Sequence, residues 1–418
     1  MNIAIWGLGV SGISALRYLS RNTSHQLYAI NQGSVDSWAQ KREVTQFISE
    51  NNCFDQADIS KDLHLDLIIL SPGIDPEIPE LRPFNQVEKI CEVELAFRES
   101  KRNLPIIAVT GTNGKTTTVT LISEALKLAG KRVFLGGNIG TPFCDFVEDE
   151  EQYDVVVLEL SSFQLELLDS FRANIACILN ITPSHMERYQ GFNDYESAKL
   201  NIVSNQNEND WYIAPAKYLD QASAARKIEL AKLSGRKWEH SVLKGEHHKF
   251  NFYIVEKVLE YFHFSPKDIV QNLIDSFRGV SYRLQYLGEI EAAKFYNDAK
   301  STNTEATLTA LKSFSDTGVV LILGGKRRDG IQDLSAIKDF KSIKKIYAIG
   351  DAQEEINSQL GQDFEVYLAG DLESAFINSV KDGVTVLFSP AYPSFDQYKN
   401  YIARGEHFDN LFLKYSTN

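Results

Sequence analysis

The residues with the clearest chemical signature form a short glycine-containing loop between an apolar segment and a helical pattern. The loop covers residues 110–117, TGTNGKTT, and follows the β-branched run 106–109. Backbone N–H groups in such a loop can surround phosphate oxygens, and the N-terminus of the following helix adds a positive dipole end. Lys115 can reach the β- and γ-phosphates, and the Thr116 hydroxyl can ligate Mg²⁺. The loop predicts a nucleoside triphosphate site, although Val109 stands where the general pattern has glycine; an ordinary strand–turn–helix corner is the alternative.

Two further candidate residues follow apolar runs that we expect in the same sheet. Glu159 directly follows the run 154–158. A carboxylate at this strand end would supply a second Mg²⁺ ligand beside the phosphate loop. His185 follows the run 175–179, and we interpret it as functional because the neighbouring strand ends carry phosphate chemistry. A helix-capping role for Glu159 and a structural role for His185 are the alternatives.

A second glycine-rich turn lies close to the N-terminus. Gly7, Gly9 and Gly12 have the spacing of a dinucleotide-binding turn between a strand and a helix. A fold that binds NAD would place an acidic residue at the end of the next strand, where this chain has Asn31 and Gln32. The pattern therefore favours a nucleotide other than NAD, held through its diphosphate, with a tight turn that binds nothing as the alternative.

Two polar runs stand out in the last third of the chain. Residues 297–303, NDAKSTN, offer a carboxylate, an ammonium group and hydroxyls. Residues 324–328, GGKRR, place three cations just beyond a predicted strand. We interpret the second run as capturing an anionic substrate, because local positive charge in an acidic protein suits that role. Solvated turns are the alternative for both runs.

Composition limits the remaining possibilities. The chain has 418 residues with 43% hydrophobic and 24% charged content, which indicates a globular protein of two or three domains. Its net charge of −13 argues against nucleic acid as the main partner. Four cysteines without a Cys-x-x-Cys pair indicate reduced thiols. We see no secretory signal and no apolar run long enough to insert in a membrane, so we expect a cytoplasmic protein.

The elements that position these residues form three segments in which apolar strands alternate with helical stretches. This alternation predicts parallel sheets with crossover helices, and such sheets bind ligands at the carboxyl ends of their strands. The predicted fold class is therefore α/β, with three domains at residues 1–93, 94–279 and 280–418. The predicted strands cover residues 3–6, 27–30, 66–70, 106–109, 132–135, 154–158, 175–179, 319–323, 345–349 and 385–388.

Several longer motifs resemble one enzyme family. The phosphate loop, GGNIGTP at 136–142, LELSSFQL at 158–165 and LNITPSHMERY at 179–189 are similar to motifs of the Mur ligases, the ATP-dependent ligases of peptidoglycan synthesis. GLGVSG at 7–12, NDAKSTN and SPAYPSFDQYKNYIARG at 389–405 resemble the branch that adds D-glutamate. The Asp-Asn-Pro-Arg motif of ligases that add a diamino acid is absent from the sequence. The resemblance covers essentially the full length of the chain.

The resemblance implies a fold and an activity. The N-terminal domain would be Rossmann-like and hold UDP-N-acetylmuramoyl-L-alanine, the central domain would be a P-loop-type ATPase, and a Rossmann-like C-terminal domain would hold D-glutamate. The enzyme would be an ATP-dependent acid–amino-acid ligase that joins the two substrates through an acyl phosphate, using ATP and two Mg²⁺ ions. It would act as a cytoplasmic monomer in cell-wall precursor synthesis.

Matched motifs also imply individual contacts. The UDP substrate would be bound by Val10, Ser11, Asn31, Gln32, Ser71, Asn138 and His185. ATP would be bound by Gly111, Thr112, Asn113, Gly114, Lys115, Thr116, Thr117, Asn251, Arg283 and Asp298. Mg²⁺ would be bound by Thr116, Glu159, His185 and Lys199, the last as the family's carbamylated lysine. D-Glutamate would be bound by Lys300, Thr302, Arg328, Ser394 and Phe395. The catalytic residues would be Lys115, His185 and Lys199.

The sequence departs from the family pattern at three places. His247 and His248 precede Asn251 where a His-Asn pair is usual, Tyr282 stands where a histidine often precedes Arg283, and Arg327 replaces an acid. Two other function classes compete with a ligase. An NAD-dependent oxidoreductase would explain the first glycine-rich turn but not the phosphate loop, and a nucleotide-gated scaffold would use the loop without ligation. Phosphate release that requires both proposed substrates would discriminate among the three.

Overall fold

The computed structural model describes residues 1–186, 188–221, 224–230, 247–277, 279–314, 317–327 and 332–416, with the backbone alone for residues 247–249. These residues form three separate sheets of five, six and six strands. Their contacts divide them into two compact units, one with the first two sheets up to Asp275 and one with the third sheet from Ser276 onward. The predicted α/β class is confirmed, since parallel strands alternate with helices throughout.

The first sheet is entirely parallel in the order β3-β2-β1-β4-β5. Its strands are β1 (Asn2–Trp6), β2 (Gln26–Asn31), β3 (Cys53–Asp55), β4 (Leu67–Leu70) and β5 (Glu88–Ile90), and its helices are α1 (Val10–Asn22), α2 (Lys41–Val44) and α3 (Glu92–Glu99). The strand order reverses at β1, which lies between β2 and β4. Ligands of such sheets bind at this reversal, beyond the carboxyl ends of the strands.

The second sheet is also parallel, in the order β11-β10-β9-β6-β8-β7. Its strands are β6 (Ile106–Thr110), β7 (Val133–Gly137), β8 (Val155–Glu159), β9 (Ile175–Ile178), β10 (Trp211–Ala214) and β11 (Arg226–Glu229). The helices that follow β6 are α4 (Lys115–Leu128), α5 (Phe143–Glu148), α6 (Ser162–Leu165), α7 (Phe192–Leu200), α8 (His247–Tyr261) and α9 (Pro266–Ser276). Every residue of β6, β8 and β9 is buried, which explains their continuous apolar sequences.

The third sheet has the order β12-β13-β17-β14-β15-β16. Its strands are β12 (Gln285–Ile290), β13 (Ala293–Asn297), β14 (Val319–Gly324), β15 (Ile343–Ile349), β16 (Val366–Gly370) and β17 (Thr385–Ala391), and its helices are α10 (Thr304–Leu311), α11 (Gln353–Leu360), α12 (Leu372–Val380) and α13 (Tyr401–Ser416). β12 pairs antiparallel with β13, and the remaining pairs are parallel. The strands β12, β13 and β16 were not predicted from the sequence, and the mostly half-buried residues of β12 lack an apolar run.

The helix after the phosphate loop shows how the sequence determines an element. Val119, Ile122, Ala125 and Leu126 recur at helical spacing, and all four are buried in the structure. Each large apolar side chain that is fully buried in this way stabilises the fold by roughly 1.5–3 kcal/mol. Gly130 has a φ of 83° just past the helix end, as expected for a glycine C-cap. Across the described part of the chain, none of the helices is both long and apolar enough to span a membrane.

Candidate active site

The phosphate loop follows β6, the strand that lies between β8 and β9 near the middle of the second sheet. Gly114 has a φ of 88°, a left-handed conformation that favours glycine, and α4 begins at the next residue. A Cβ atom on Gly111 would lie 3.1 Å from the Leu179 Cβ atom, so glycine lets the loop approach the segment that follows β9. The loop therefore presents the N-terminus of a 14-residue helix to the sheet edge, the arrangement that attracts phosphate.

Three predicted site residues from different elements form one hydrogen-bonded chain beside the loop. The Thr116 hydroxyl donates to Glu159 Oε2 at 2.7 Å, and the Asn138 side-chain amide donates to Glu159 Oε1 at 2.8 Å. The Asn138 backbone N–H also donates to the Glu159 carbonyl at 2.8 Å. Thr116 and Glu159 are both buried, being 2% and 3% exposed. The structure thus fixes the carboxylate of Glu159 next to the hydroxyl that was predicted to bind a metal.

Two lysine ammonium groups approach the same backbone carbonyl. Lys115 Nζ donates to the Gly111 carbonyl at 2.8 Å and to the Thr112 carbonyl at 3.1 Å. Lys199 Nζ donates to the Gly111 carbonyl at 3.0 Å and is almost completely buried on α7. Burial, and secondarily the charge of Lys115, lowers the pKa of Lys199 to about 7. Lys199 therefore has a substantial neutral fraction at physiological pH.

His185 lies beyond the carboxyl end of β9 in an uncommon backbone conformation. Its φ is 58°, and its carbonyl accepts hydrogen bonds from the Arg188 and Tyr189 N–H groups at 3.0 and 3.2 Å. The imidazole ring lies 5.0 Å from the Phe163 ring and 6.3 Å from the Tyr195 ring, centroid to centroid. His185 is therefore placed at the same sheet edge as Glu159 and the phosphate loop, among aromatic side chains.

The strand ends of the first sheet also meet at one place. The Ser71 hydroxyl, just after β4, donates to the Gly7 carbonyl, just after β1, at 2.7 Å. A Cβ atom on Gly12 would clash with the same carbonyl, so the turn requires glycine there. Val10 is 72% exposed at the start of α1, which is unusual for an apolar side chain and leaves it accessible to a ligand. Asn31, with Gln32 after it, ends β2 at this edge of the sheet.

Asn251 lies on α8 and contacts the helix that follows the phosphate loop. Its side-chain oxygen accepts a hydrogen bond from the Thr118 hydroxyl at 3.1 Å, and the residue is 5% exposed. This contact places Asn251 beside α4, at its N-terminal half. The side chains of His247 and His248, which depart from the family pattern, lie outside the described residues.

In the second unit, Asp298 joins two strand ends. Its carboxylate accepts hydrogen bonds from the Ser301 hydroxyl at 2.5 Å, the Ser389 hydroxyl at 2.7 Å and the Leu284 N–H at 3.0 Å. Burial raises the pKa of Asp298 to about 6, with the hydrogen bonds opposing the shift. Arg283 lies between Tyr282 and Leu284, whose φ angles of 60° and 45° are both left-handed. The hydrogen bond from the Leu284 N–H to the Asp298 carboxylate therefore holds this turn in place.

The basic run after β14 is paired locally. Lys326 Nζ lies 3.0 Å from Asp351, and Arg327 Nε lies 3.2 Å from the Glu355 carboxylate, which also accepts the Tyr392 hydroxyl at 2.9 Å. Arg328 lies outside the described residues. Arg327, the departure from the family pattern, is thereby directed toward α11.

The other residues predicted to bind D-glutamate lie on loops of the same unit. Ser394 is buried, whereas Phe395 is 70% exposed. The Lys300 N–H donates to the Tyr282 carbonyl at 3.0 Å, and its ammonium group lies 6.0 Å from the centroid of the Tyr401 ring. Thr302 follows two residues later and is partly buried.

Comparison with known proteins identifies the family. The model of the Mur ligase middle domain matches residues 109–280. A UDP-N-acetylmuramoylalanine--D-glutamate ligase of Thermoanaerobacter sp. (strain X514) is 32% identical, over 97% of this chain and 96% of the relative. The chain belongs to the Mur ligase family. The resemblance found in the sequence and the predicted ligase class are therefore confirmed.

Solved Mur ligase structures share the fold. The UDP-N-acetylmuramate-alanine ligase MurC of Thermotoga maritima has a TM-score of 0.55 and 19% identity, over 99% of both chains. The MurF ligase of Thermotoga maritima in complex with ADP has a TM-score of 0.53 and 16% identity, over 99% of this chain and 97% of that one. Identities this low establish the architecture of a Mur ligase and no more.

The donor set at the phosphate loop fits the Mg²⁺ that Mur ligase chemistry implies. Mg²⁺ prefers oxygen ligands, and the Thr116 hydroxyl and the Glu159 carboxylate are fixed 2.7 Å apart beside the loop. Their burial removes competing water, while Asn138 orients the carboxylate from the other side. The Lys199 ammonium group cannot ligate a metal, whereas its carbamate would add an oxygen ligand beside these two residues.

Sequence reasoning missed two residues that hold this Mur ligase's loops. Asn180 accepts the Thr112 and Asn113 N–H groups through its two oxygens and donates to the Asn113 carbonyl, all at 2.9–3.0 Å. Arg404, 1% exposed, donates to four backbone carbonyls, those of Gly324, Pro393, Ala299 and Tyr392. Both residues fall inside the motifs that carried the resemblance, but nothing in one sequence marks either as a bridge between loops.

Proposed function

We propose that this Mur ligase joins D-glutamate to UDP-N-acetylmuramoyl-L-alanine with hydrolysis of ATP to ADP and phosphate. The bonded chain from Thr116 through Glu159 to Asn138 carries the proposal, because it links a phosphate loop to a residue predicted to face the substrate carboxylate. A relative of that name that is similar over almost the whole chain supports the choice of substrates. A phosphoryl group and a carboxylate would thus meet at the edge of the second sheet.

The first step is phosphoryl transfer to the carboxylate of the UDP substrate, which forms an acyl phosphate and ADP. Lys115, held over the loop by the Gly111 and Thr112 carbonyls, stabilises the negative charge of the moving group. The N-terminus of α4 contributes its dipole. Mg²⁺ held by Thr116, Glu159 and His185 would supply further charge neutralisation when bound. The amine of D-glutamate then attacks the acyl carbon, and phosphate leaves as the amide bond forms.

Lys199 serves this step as a carbamate in our proposal. Carbamylation requires a neutral amine, and the pKa of Lys199 is lowered to about 7 by burial. Lys199 Nζ lies 3.0 Å from the Gly111 carbonyl, which supports a role for the resulting anion beside the phosphate loop. The lysine would thus change from a group that repels Mg²⁺ to one that ligates it.

The remaining contacts follow the three sheets. We propose that Val10, Ser11, Asn31, Gln32 and Ser71 bind the UDP group, since β1 and β4 meet at the strand-order reversal of the first sheet. Asn251, Arg283 and Asp298 would contact ATP. Lys300, Thr302, Arg328, Ser394 and Phe395 would bind D-glutamate. The corresponding domains are residues 1–93, 94–279 and 280–418.

The proposal also covers the cellular compartment and the oligomeric state. We place the reaction in the cytoplasm, where ATP and UDP-linked precursors occur together, and propose a monomer. The four cysteines are all buried free thiols, which suits a reducing compartment.

Phosphate release from ATP by the full-length protein tests this function. Each substrate is omitted in turn, and L-glutamate and a diamino acid replace D-glutamate as controls. We expect release only when UDP-N-acetylmuramoyl-L-alanine and D-glutamate are both present, with the amide product seen by mass spectrometry. Release driven by ATP alone, or none with the complete mixture, would refute the assignment.

A further inference from the structure

Arg188 connects the first sheet to the second through two acidic partners. Its guanidinium lies 2.8 Å from Asp75, in the loop after β4, and 2.6 Å from Glu166, at the end of α6. The Arg188 side chain is 16% exposed, so solvent screens these ion pairs less than a surface pair. A cavity of about 840 Å³ lies alongside and is lined by Asp75, Glu166 and Arg188. The two ion pairs therefore join the segments at the edge of this cavity.

The Asp75 side of this link leads to the proposed UDP site. The Ile74 N–H, one residue before Asp75, donates to the Ser71 carbonyl at 2.9 Å. The Ser71 hydroxyl in turn donates to the carbonyl of Gly7 in the glycine-rich turn. A shift of Asp75 would therefore move the tight turn that presents Ser71.

The other side of the link leads to His185. The Arg188 N–H donates to the His185 carbonyl at 3.0 Å, and the Arg188 guanidinium lies 5.4 Å from the Phe163 ring centroid. Phe163 is in turn 5.0 Å from the His185 ring. Arg188 thus fixes both the backbone and the aromatic neighbour of a residue that itself sits in a strained, left-handed conformation.

We propose that Arg188 is a positioning residue, which sets the UDP-binding turn at Ser71 at the correct distance from His185 so that the substrate carboxylate meets the phosphate loop. The inference rests on the proposed function and adds a residue to it. Arg188 acts through Asp75 and His185 and needs no contact with either substrate. Arginine suits this role because its planar guanidinium holds two carboxylates at a fixed spacing, whereas a lysine ammonium is a point charge on a flexible stem.

Arg98 offers a matched control. It also bridges the first and second sheets, through Glu88, Glu94 and Asp169 at 2.7, 2.7 and 3.0 Å. None of these partners is a predicted site residue. Loss of Arg98 therefore removes a comparable ion-pair cluster without disturbing the segment from Ser71 to His185.

The experiment measures binding and turnover for Arg188→Ala, Arg188→Lys and Arg98→Ala. We expect Arg188→Ala to weaken binding of UDP-N-acetylmuramoyl-L-alanine about tenfold and to lower kcat, while the Kd for a non-hydrolysable ATP analogue changes by less than about twofold. Arg188→Lys should show effects on UDP-substrate binding and kcat that lie between those of the wild type and Arg188→Ala. Arg98→Ala should lower the melting temperature without changing binding or kcat. Equal effects of Arg188→Ala on both ligands, or no effect on the UDP substrate, would overturn the proposal.

Asp75→Asn provides a second, milder test in case Arg188→Ala does not fold. It should weaken binding of the UDP substrate in the same direction, and its effect should be smaller in the Arg188→Lys background, where the pair with Asp75 is already weakened. Full additivity of the two changes would contradict the coupling. Failure of the wild-type protein to bind the UDP substrate would instead refute the proposed function, so the two failures are distinguishable.

Discussion

In the second sheet the candidate ligand-binding side chains bond to one another, whereas at the carboxyl edge of the third sheet two of the cations bond to local acids. Thr116, Glu159 and Asn138 form a continuous chain. Lys326 and Arg327, by contrast, are paired with Asp351 and Glu355. The side chains proposed to bind the nucleotide are thus held by one another beside one short loop, whereas local acids already pair with two of the cations near the proposed D-glutamate site.

Removal of Lys115 should have the largest effect. Lys115→Ala should reduce ligation by more than about 100-fold, because the charge opposite the moving phosphoryl group is lost. Binding of the UDP substrate should change by less than about tenfold, or ~1.4 kcal/mol, since the residues proposed to bind its UDP group lie on the first sheet. Phosphate release and calorimetry check the two parts. Lys127→Ala, on the exposed end of the same helix and paired with Glu124, serves as the control.

Replacement of Lys199 should be almost as severe. Lys199→Ala should be inactive and partly rescued by small carboxylates, which can replace the anion of the carbamate. Lys199→Arg should stay inactive, because a guanidinium cannot supply an anion toward a metal. Activity assays with and without added formate or acetate measure the rescue. Near-normal activity in the arginine variant would show that no carbamate is needed.

Variants of Arg327 and Arg328 test which cation at the edge of the third sheet binds D-glutamate. Arg328→Ala should raise the KM for D-glutamate by the equivalent of about 2–5 kcal/mol, the cost of removing one member of a hydrogen-bonded charge pair, and leave the KM for ATP unchanged. Arg327→Ala should change the same constant little, because Glu355 already holds Arg327. Initial-rate kinetics on both variants decide the matter. A larger effect of Arg327→Ala on the KM for D-glutamate would assign the contact to Arg327 instead of Arg328. If neither variant changes this KM, the basic run does not bind D-glutamate.

The smallest expected effect concerns a buried carboxyl group in the first unit. Burial raises the pKa of Glu92 from 4.5 to about 7, and Glu92 Oε2 has no hydrogen-bond partner among the described residues. The folded protein therefore holds a proton that the unfolded chain releases. Stability from this group is complete below pH 4.5 and is lost as the pH rises to about 7.

Glu92→Gln should remove that pH dependence. Above pH 7 the variant should be more stable than the wild type by roughly 1–3 kcal/mol, because each pKa unit corresponds to about 1.4 kcal/mol. Urea unfolding at about pH 5 and pH 8 measures the difference, with Glu124→Gln on the exposed face of α4 as the control. The same pH dependence in the wild type and in Glu92→Gln across this window would contradict the assignment.

Much of the fold could be predicted from the sequence, because strands buried on both faces show continuous apolar runs. The runs at 106–109, 154–158 and 319–323 form strands as expected. β12 was missed because its residues, with Gly288 in the interior, lie at the edge of the sheet and alternate without a clear pattern. Local sequence has no signal for such a strand, which forms only when it pairs with β13.

The site shows the same limit. The phosphate loop could be predicted because its chemistry lies within eight consecutive residues. Arg404 could not, because it gathers carbonyls from loops up to 105 positions away in sequence. The pairing of Arg327 with Glu355, 28 positions further along the chain, could not be predicted either. Such contacts depend on the order in which the strands lie in the sheet, which a single sequence does not state.

Trapping of the acyl phosphate tests the central claim most directly, that phosphoryl transfer takes place at the phosphate loop before D-glutamate reacts. The wild-type protein is incubated with ATP, Mg²⁺ and UDP-N-acetylmuramoyl-L-alanine, without D-glutamate, and hydroxylamine captures the activated carboxylate as a hydroxamate. We predict hydroxamate with the wild type and with Arg328→Ala, and none with Lys115→Ala. Hydroxamate that forms only when D-glutamate is present, or that survives the loss of Lys115, would contradict the account.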